Sequence, residues 1–273
     1  MGSPRGTGRE MSAVALEIIF LGTGTSHGVP MIGCDCPVCR SGDPRDRRNR
    51  CSLAVRAGGG EVILIDTPPE LRVAAVAWGL GRVDAILFTH AHADHIMGLD
   101  DVRRFNDISG RTIPCYASAG TLGRLRTVFG YAEVPFESAP TNRPSLHFQR
   151  IDSTLSICGL EIIPIPLLHG SEPVLGFRIG DFAYCTDCSE IPQPSMRLLE
   201  GLELLVLDAL RPEPHPTHFS LSQALEVIAR LGPRRALLTH VTHRLGHEQT
   251  CRSLPEGVTV AHDGLRAVVG EED

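Results

Sequence analysis

His90, His92, Asp94 and His95 fall within six residues, His90-Ala91-His92-Ala93-Asp94-His95, directly after the apolar run Asp84-Ala85-Ile86-Leu87-Phe88-Thr89. Imidazole and carboxylate groups are ligands for divalent ions such as Zn, Fe or Mn. The apolar run reads as a buried strand and the stretch after His95 as a helix, so the four groups share one strand-to-helix turn. Four ligands are too many for one ion that must also leave room for a substrate. The pattern implies two ions side by side, and with them metal-assisted hydrolysis.

Four further groups close apolar runs. His169 ends Pro166-Leu167-Leu168, Asp187 follows Phe182-Ala183-Tyr184-Cys185, Asp208 ends Leu204-Leu205-Val206-Leu207, and His240 ends Ala236-Leu237-Leu238-Thr239. Ligands at strand ends are held by a rigid sheet and point into one rim, which lets a metal site form with little strain. Asp208 shares this position but is read as structural. A second cluster lies in Gly33-Cys34-Asp35-Cys36-Pro37-Val38-Cys39. Three thiols in this Cys-X-Cys-X-X-Cys loop (residues 33–39) can converge on one tetrahedral, structural Zn. His243, three residues after His240, is the best fourth ligand. Cys185 and Cys188 also form a C-X-X-C pair, but Asp187 lies between them and they read as buried thiols.

Short strands are expected at Ala13 to Leu21, Ser52 to Ala57, Glu61 to Asp66, Asp84 to Thr89 and Ile113 to Tyr116, with Gly58-Gly59-Gly60 as a hairpin turn. Helices are expected from Pro69 to Trp78, Asp94 to about Phe105, and Ser118 to Phe129 with Ser118 as N-cap. The second half repeats this style. Strands at Leu146–Arg150, Leu155–Cys158, Leu160–Ile165, Val174–Ile179 and Phe182–Cys185 precede helices near Ser195–Glu200 and Leu221–Leu231, the latter capped by Ser220. Strands Leu204–Asp208, Ala236–Thr239, Val258–Ala261 and Leu265–Val269 complete the set. Each half runs from a β-meander to β/α alternation, which two sheets packed face to face with helices outside would satisfy. Tyr131 to Arg143 reads as a surface loop.

The chain has 273 residues, 42% hydrophobic and 21% charged, an ordinary globular composition. No apolar run approaches the roughly 18 residues of a membrane span. Residues 1–12 read as a disordered lead without an apolar signal core, and residues 13–270 as one domain. Nine cysteines, an odd number, suit a reducing cytoplasmic setting with some thiols used for metal. The net charge is −6 and the chain contains no lysine, all 26 basic residues being arginine. This acidic balance argues against a stable nucleic-acid partner. The arginines at 45, 47, 48 and 50 alternate with Asp43 and Asp46 and read as an exposed loop, while Arg103 and Arg104 could meet a phosphate or simply solvent.

The His-X-His-X-Asp-His hexad, with later His, Asp and His at strand ends, resembles the metallo-β-lactamase superfamily over about Val14 to Val269. The resemblance implies an α/β fold, the αββα sandwich of two mixed β-sheets flanked by helices. It implies His90, His92 and His169 on one ion, Asp94, His95 and His240 on the other, and Asp187 between them. Gly22-Thr23-Gly24-Thr25-Ser26-His27-Gly28-Val29-Pro30, followed by the cysteine loop and the His240/His243 pair, is similar to the PhnP-like phosphodiesterase subgroup. That similarity implies two divalent ions (Zn or Mn) at the active site, one structural Zn, a small phosphodiester substrate (a cyclic ribose or nucleotide diester), and a homodimer. The expected reaction is attack on phosphorus by hydroxide held between the ions. Asp94 is counted with the catalytic residues, and His218, in Thr217-His218-Phe219-Ser220, is the candidate general acid. His215 and His27 are weaker candidates for substrate contact. The competing readings are a lactone or thioester hydrolase, a tRNA 3′-endonuclease-like nuclease, and a non-enzymatic relative with a degraded hexad.

Overall fold

The computed structural model describes residues 15–133 and 142–270. The proposed lead at 1–12, and most of the 131–143 loop, lie outside these residues. Among the described residues there are fourteen strands: β1 (Leu16–Gly22), β2 (Ser52–Ala57), β3 (Val62–Ile65), β4 (Ala85–Leu87), β5 (Ile113–Ala117), β6 (Leu146–Arg150), β7 (Leu155–Ile157), β8 (Leu160–His169), β9 (Glu172–Ile179), β10 (Phe182–Cys185), β11 (Leu204–Asp208), β12 (Arg235–Thr239), β13 (Val258–Val260) and β14 (Arg266–Val269). The α-helices are α1 (Leu71–Trp78), α2 (Ala93–Ile96), α3 (Arg103–Ser109), α4 (Ala119–Phe129), α5 (Gln193–Leu198), α6 (Leu221–Leu231) and α7 (His247–Cys251).

The strands form two seven-stranded sheets, ordered β14-β1-β2-β3-β4-β5-β6 and β13-β12-β11-β10-β9-β8-β7. Each is antiparallel through one half and parallel through the other: β1, β2 and β3 pair antiparallel, then β3, β4, β5 and β6 pair parallel. In the second sheet β7 to β10 form the antiparallel meander and β10 to β13 the parallel half. Strand periodicity sends alternate residues to opposite faces. Leu16, Ile18 and Phe20 of β1 and Leu204 and Val206 of β11 meet between the sheets, with Phe177, Phe182 and Tyr184. The residues in between face outward: Ile19, Leu21 and Leu64 pack under Leu71, Ala74 and Leu125, and Leu205 and Leu207 pack under Ala224 and Ile228. Three apolar layers therefore separate four structural layers, the αββα sandwich expected from the sequence. Strands buried on both faces read as unbroken apolar runs, which is why so many of them were legible.

Capping fixes the longer helices. Ser118 accepts from the Thr121 N–H ahead of α4, and Ser220 with Gln223 forms a capping box ahead of α6. Such caps are worth about 1 kcal/mol each. The expected continuous helix from Asp94 to Phe105 is instead α2, a 3₁₀ turn (Leu99–Val102) and α3. The cause is local: Thr67 N–H donates to the His95 carbonyl and Gly98 N–H donates to the Thr67 carbonyl. The Asp66–Pro69 segment thus takes hydrogen bonds that a longer helix would have made itself. Gly98 is required for this contact, because a Cβ there would lie 2.0 Å from the Pro68 carbonyl oxygen. No helix among the described residues is long and apolar enough to cross a membrane.

Candidate active site

The sheets bring their parallel-strand ends to one rim, and the sequence-derived ligands collect there. His90 and His92 follow β4, Asp94 and His95 lie on α2, His169 closes β8, Asp187 follows β10 and His240 follows β12. Asp94, His95, Asp187 and His240 offer ligand atoms within 4.8 Å of one another, and so do His90, His92 and Asp187. Asp187 belongs to both groups, which places its carboxylate between them. His169 joins through its rings, with centroids 5.2 Å from His92 and 5.8 Å from His90, and it clusters with Asp187 and His218. The backbone is strained at this rim. Asp66 (φ 60°), Asp187 (φ 51°) and His240 (φ 56°) are three of the four non-glycine residues with positive φ among those described. Each such conformation costs on the order of 1–3 kcal/mol, and the rigid strands on either side hold it.

Most of these imidazoles are oriented by a partner on the far side. Buried Asp66 accepts from the Thr89 N–H (2.9 Å), the Thr89 hydroxyl (2.7 Å) and His95 Nδ1 (2.7 Å). His95 Nε2 is thereby turned inward, 3.4 Å from carboxylate oxygens of both Asp94 and Asp187. His169 Nδ1–H donates to the Thr217 carbonyl (2.7 Å), freeing Nε2. His92 Nε2 faces the Glu172 carboxylate at 3.6 Å, and its Nδ1 lies 2.9 Å from His90 Nε2. His218 Nδ1–H donates to Asp208 Oδ2 (2.8 Å), leaving its Nε2 toward the rim. Outward partners of this kind set the tautomer and aim of a metal-ligating histidine.

Burial shapes the charges. Burial would raise the Asp187 carboxyl, but His240 and His95 outweigh it and hold it well below the usual carboxylate range. Burial would likewise lower His95, yet Asp187 and Asp66 keep it well above its ordinary value. Burial pushes His90, His218 and His240 down and Asp208 up.

The residues fit a metal centre on their own evidence. His95 Nε2, His240 Nδ1, His240 Nε2 and Asp208 Oδ1 are buried with no hydrogen-bond partner among the described residues. Orphaned polar atoms in a dry site are expensive, and divalent cations satisfy such nitrogen and oxygen donors. The cysteine loop behaves similarly: Sγ of Cys34, Cys36 and Cys39 lie 3.1, 3.3 and 3.6 Å from His243 Nδ1. A tetrahedral Zn with ordinary bond lengths would hold S and N about 3.5 Å apart. A backbone hydrogen bond from Cys39 holds the Cys36 thiol down at about 6, whereas burial pushes Cys39 up to about 11. Val241 and Thr242 alone separate His240 from His243, so one loop serves both clusters.

Other expectations resolve differently. Asp208, read from sequence as structural, holds His218 and also accepts from the Cys188 N–H (3.0 Å). Arg48 is not in an exposed loop: it is 3% exposed, because its guanidinium ties Thr23 to the Ala261 carbonyl. Arg103 pairs with Asp100 and Arg104 with Asp107, and neither joins the metal-ligand clusters. His27 is exposed, and the His215 ring stands 5.2 Å from His218. Asp66 and Glu172 were missed. Asp66 carried a signal, since it closes the apolar run Val62-Ile63-Leu64-Ile65 as Asp208 closes its own strand.

A sandwich of two mixed sheets with histidines and aspartates at the rim defines a class, and comparison with known families agrees. The model of the β-lactamase superfamily domain matches residues 61–241, and the chain belongs to the metallo-β-lactamase superfamily, whose members are mostly metal-dependent hydrolases. A solved diphosphatase of the PhnP family is similar, at 43% identity and TM-score 0.87, over 93% of this chain and 97% of that one. An octanoyltransferase of Porphyromonas gingivalis is 34% identical over 94% of the chain, which spans only 52% of that longer protein. Coenzyme PQQ synthesis protein B of Rhodopseudomonas palustris is 30% identical over 71% of this chain and 73% of its own length.

Proposed function

We propose that the chain is a metal-dependent phosphodiesterase acting on a small cyclic ribose or nucleotide phosphodiester. The observation that carries this reading is His218, which Asp208 clamps against the rim within the cluster that also contains His169 and Asp187. Hydrolysis of a thioester has less need of such a donor, because a thiolate leaves without a proton. Expulsion of a sugar alkoxide from phosphorus needs a proton delivered to the leaving oxygen. The 43% identity to a protein named as a PhnP-family diphosphatase supports phosphorus as the centre attacked.

In this reading His90, His92 and His169 would hold one divalent ion, Asp94, His95 and His240 would hold a second, and Asp187 would serve both. Bound divalent ions supply a nucleophile at neutral pH and offset the charge that develops on phosphate oxygens. The remaining work belongs to the chain. Asp66, Glu172 and the Thr217 carbonyl keep the lone pairs of His95, His92 and His169 aimed inward. Asp208 holds a proton on His218 Nδ1, so Nε2 is the atom that, when protonated, passes its proton to the leaving oxygen. The cysteine loop with His243 binds a structural Zn and braces the loop that carries His240.

The test is a turnover panel in Mn and in Zn. It contains bis(p-nitrophenyl) phosphate, ribose 1,2-cyclic phosphate, 2′,3′-cyclic nucleotides, a dinucleoside diphosphate, a lactone and an octanoyl thioester. Diester turnover that disappears in His92→Ala is expected. Faster turnover of the lactone or thioester than of every phosphorus substrate refutes the reading.

A further inference from the structure

Away from the metal-binding rim, the loop around Arg45–Asn49, the end of α1 and the turn His262–Gly264 enclose a cavity of about 570 Å³. None of its lining residues belongs to the candidate metal clusters. Its volume falls in the range of small-molecule sites, roughly 300–1,000 Å³.

The polar groups of its wall are unevenly matched. Buried Arg48 donates to Thr23 Oγ1 (2.7 Å) and the Ala261 carbonyl (2.5 Å), its other terminal nitrogen lies 3.4 Å from His247 Nδ1, and no carboxylate among the described residues pairs with it. Asp46 and Asp263 act on it only through space. Asp263 offers the cavity little, because one oxygen accepts from the Thr23 hydroxyl (2.8 Å) and the other from the Asn49 N–H (2.7 Å). Arg45 is satisfied at the rim by Asp43 (2.8 Å) and Glu248 (3.0 Å). The Arg47 side chain, by contrast, is exposed and has no hydrogen bond or ion pair among the described residues. Trp78 lines the same space, and its Nε1–H is buried without a partner.

The wall therefore presents the free guanidinium of Arg47, with buried Arg48 in the same wall, and the apolar surfaces of Trp78, Val29, Pro30 and Pro44. Guanidinium is the side chain best shaped for phosphate, and an indole offers a flat apolar surface on which a base can lie. An occupant that answers all of these is anionic at one end and flat and weakly polar at the other. We propose that this cavity is a second binding site, distinct from the reaction centre, for a nucleoside phosphate. Its phosphate lies against Arg47 beside Arg48, and its base lies against Trp78. The site does not depend on which bond the reaction centre cleaves.

Trp78 is the sole tryptophan of the chain, so its fluorescence reports on this cavity alone. The metal-loaded protein is titrated with AMP, with adenosine and with inorganic phosphate, with emission excited at the red edge of the indole band. AMP at up to millimolar concentration should change the emission saturably, and adenosine or phosphate alone should bind at least about tenfold more weakly. Arg47→Ala, an exposed change outside the reaction centre, should weaken AMP about tenfold or more while leaving turnover intact. His92→Ala should retain the AMP response. No response to AMP, an equal response to either fragment, an unchanged response in Arg47→Ala, or a response lost in His92→Ala would each overturn the proposal.

Discussion

Replacing Asp66 by Asn separates the roles of charge and shape at the rim. The two side chains have the same outline, so any effect comes from exchanging one acceptor oxygen for a donor. Asp66 accepts three hydrogen bonds, two from Thr89 and one from His95 Nδ1. If Asn turns its NH₂ toward the Thr89 backbone N–H, two donors face each other in a site with no solvent exposure. The backbone cannot adapt, and a buried unsatisfied N–H costs about 1–3 kcal/mol. If Asn turns its NH₂ the other way, the Thr89 hydroxyl can still accept from it, although that hydroxyl loses its own acceptor, because His90 Nδ1 at 3.0 Å carries a proton when Nε2 faces the rim. His95 then has to move its proton from Nδ1 to Nε2, the atom facing Asp94 and Asp187, and is lost as a metal ligand. One orientation therefore lowers stability, by roughly 2–10 °C in Tm at this chain size. The other lowers metal affinity, by about 10–100-fold as is usual for an outer partner of a ligating histidine. Thermal unfolding read beside metal content after dialysis against a graded chelator distinguishes them. A variant with unchanged Tm and unchanged metal affinity would refute the reasoning, because neither orientation escapes both costs.

Three further outcomes follow from the same geometry. His218→Gln should slow cleavage of alkoxide leaving groups by about 10²–10⁴-fold but hardly affect p-nitrophenolate, which leaves without a proton; equal losses on both would remove His218 as the acid. Cys36→Ser should remove one equivalent of Zn and lower Tm, and retention of both would exclude a structural site at Cys34, Cys36, Cys39 and His243. Burial, aided by the Arg48 and Arg45 charges, depresses His247 to about 4. The unfolded chain then takes up a proton near 6.5 that the folded chain refuses, so stability is full above about 6.5 and falls as the pH drops toward 4. His247→Gln should flatten Tm against pH in that window, and an unaltered slope would show that another group governs it.

Much of the architecture was readable because burial on both faces writes strands as apolar runs and caps write helix starts: Leu204–Asp208 and the Ser220-capped α6 lie where pattern and chemistry placed them. The gathering of His90, His92, Asp94, His95, His169, Asp187 and His240 was anticipated from their places at strand ends, since parallel strands deliver their ends to one edge. What escaped were the residues that act through others. Asp66 looks like any acid in a turn until the fold sets it behind His95, and Glu172 becomes relevant only because the β8–β9 hairpin pairs it with His169 across the turn. Arg48 was misread for the same reason. A run of alternating charges suggests solvent, and nothing in its local spacing tells that Gly22 lets this loop press against the end of β1, where a Cβ would meet the Arg50 carbonyl at 1.9 Å. Helix length between Asp94 and Phe105 was overestimated because the competing hydrogen bonds come from Thr67, distant in sequence.

The most direct measurement is anomalous diffraction from crystals grown with the metal that supports turnover, recorded at the absorption edges of Zn and Mn. Two neighbouring peaks are expected on either side of the Asp187 carboxylate, one against His90, His92 and His169 and one against Asp94, His95 and His240, with a separate Zn peak at the three cysteines and His243. An active crystal with no anomalous density beside Asp187 would contradict the metal-dependent reaction outright.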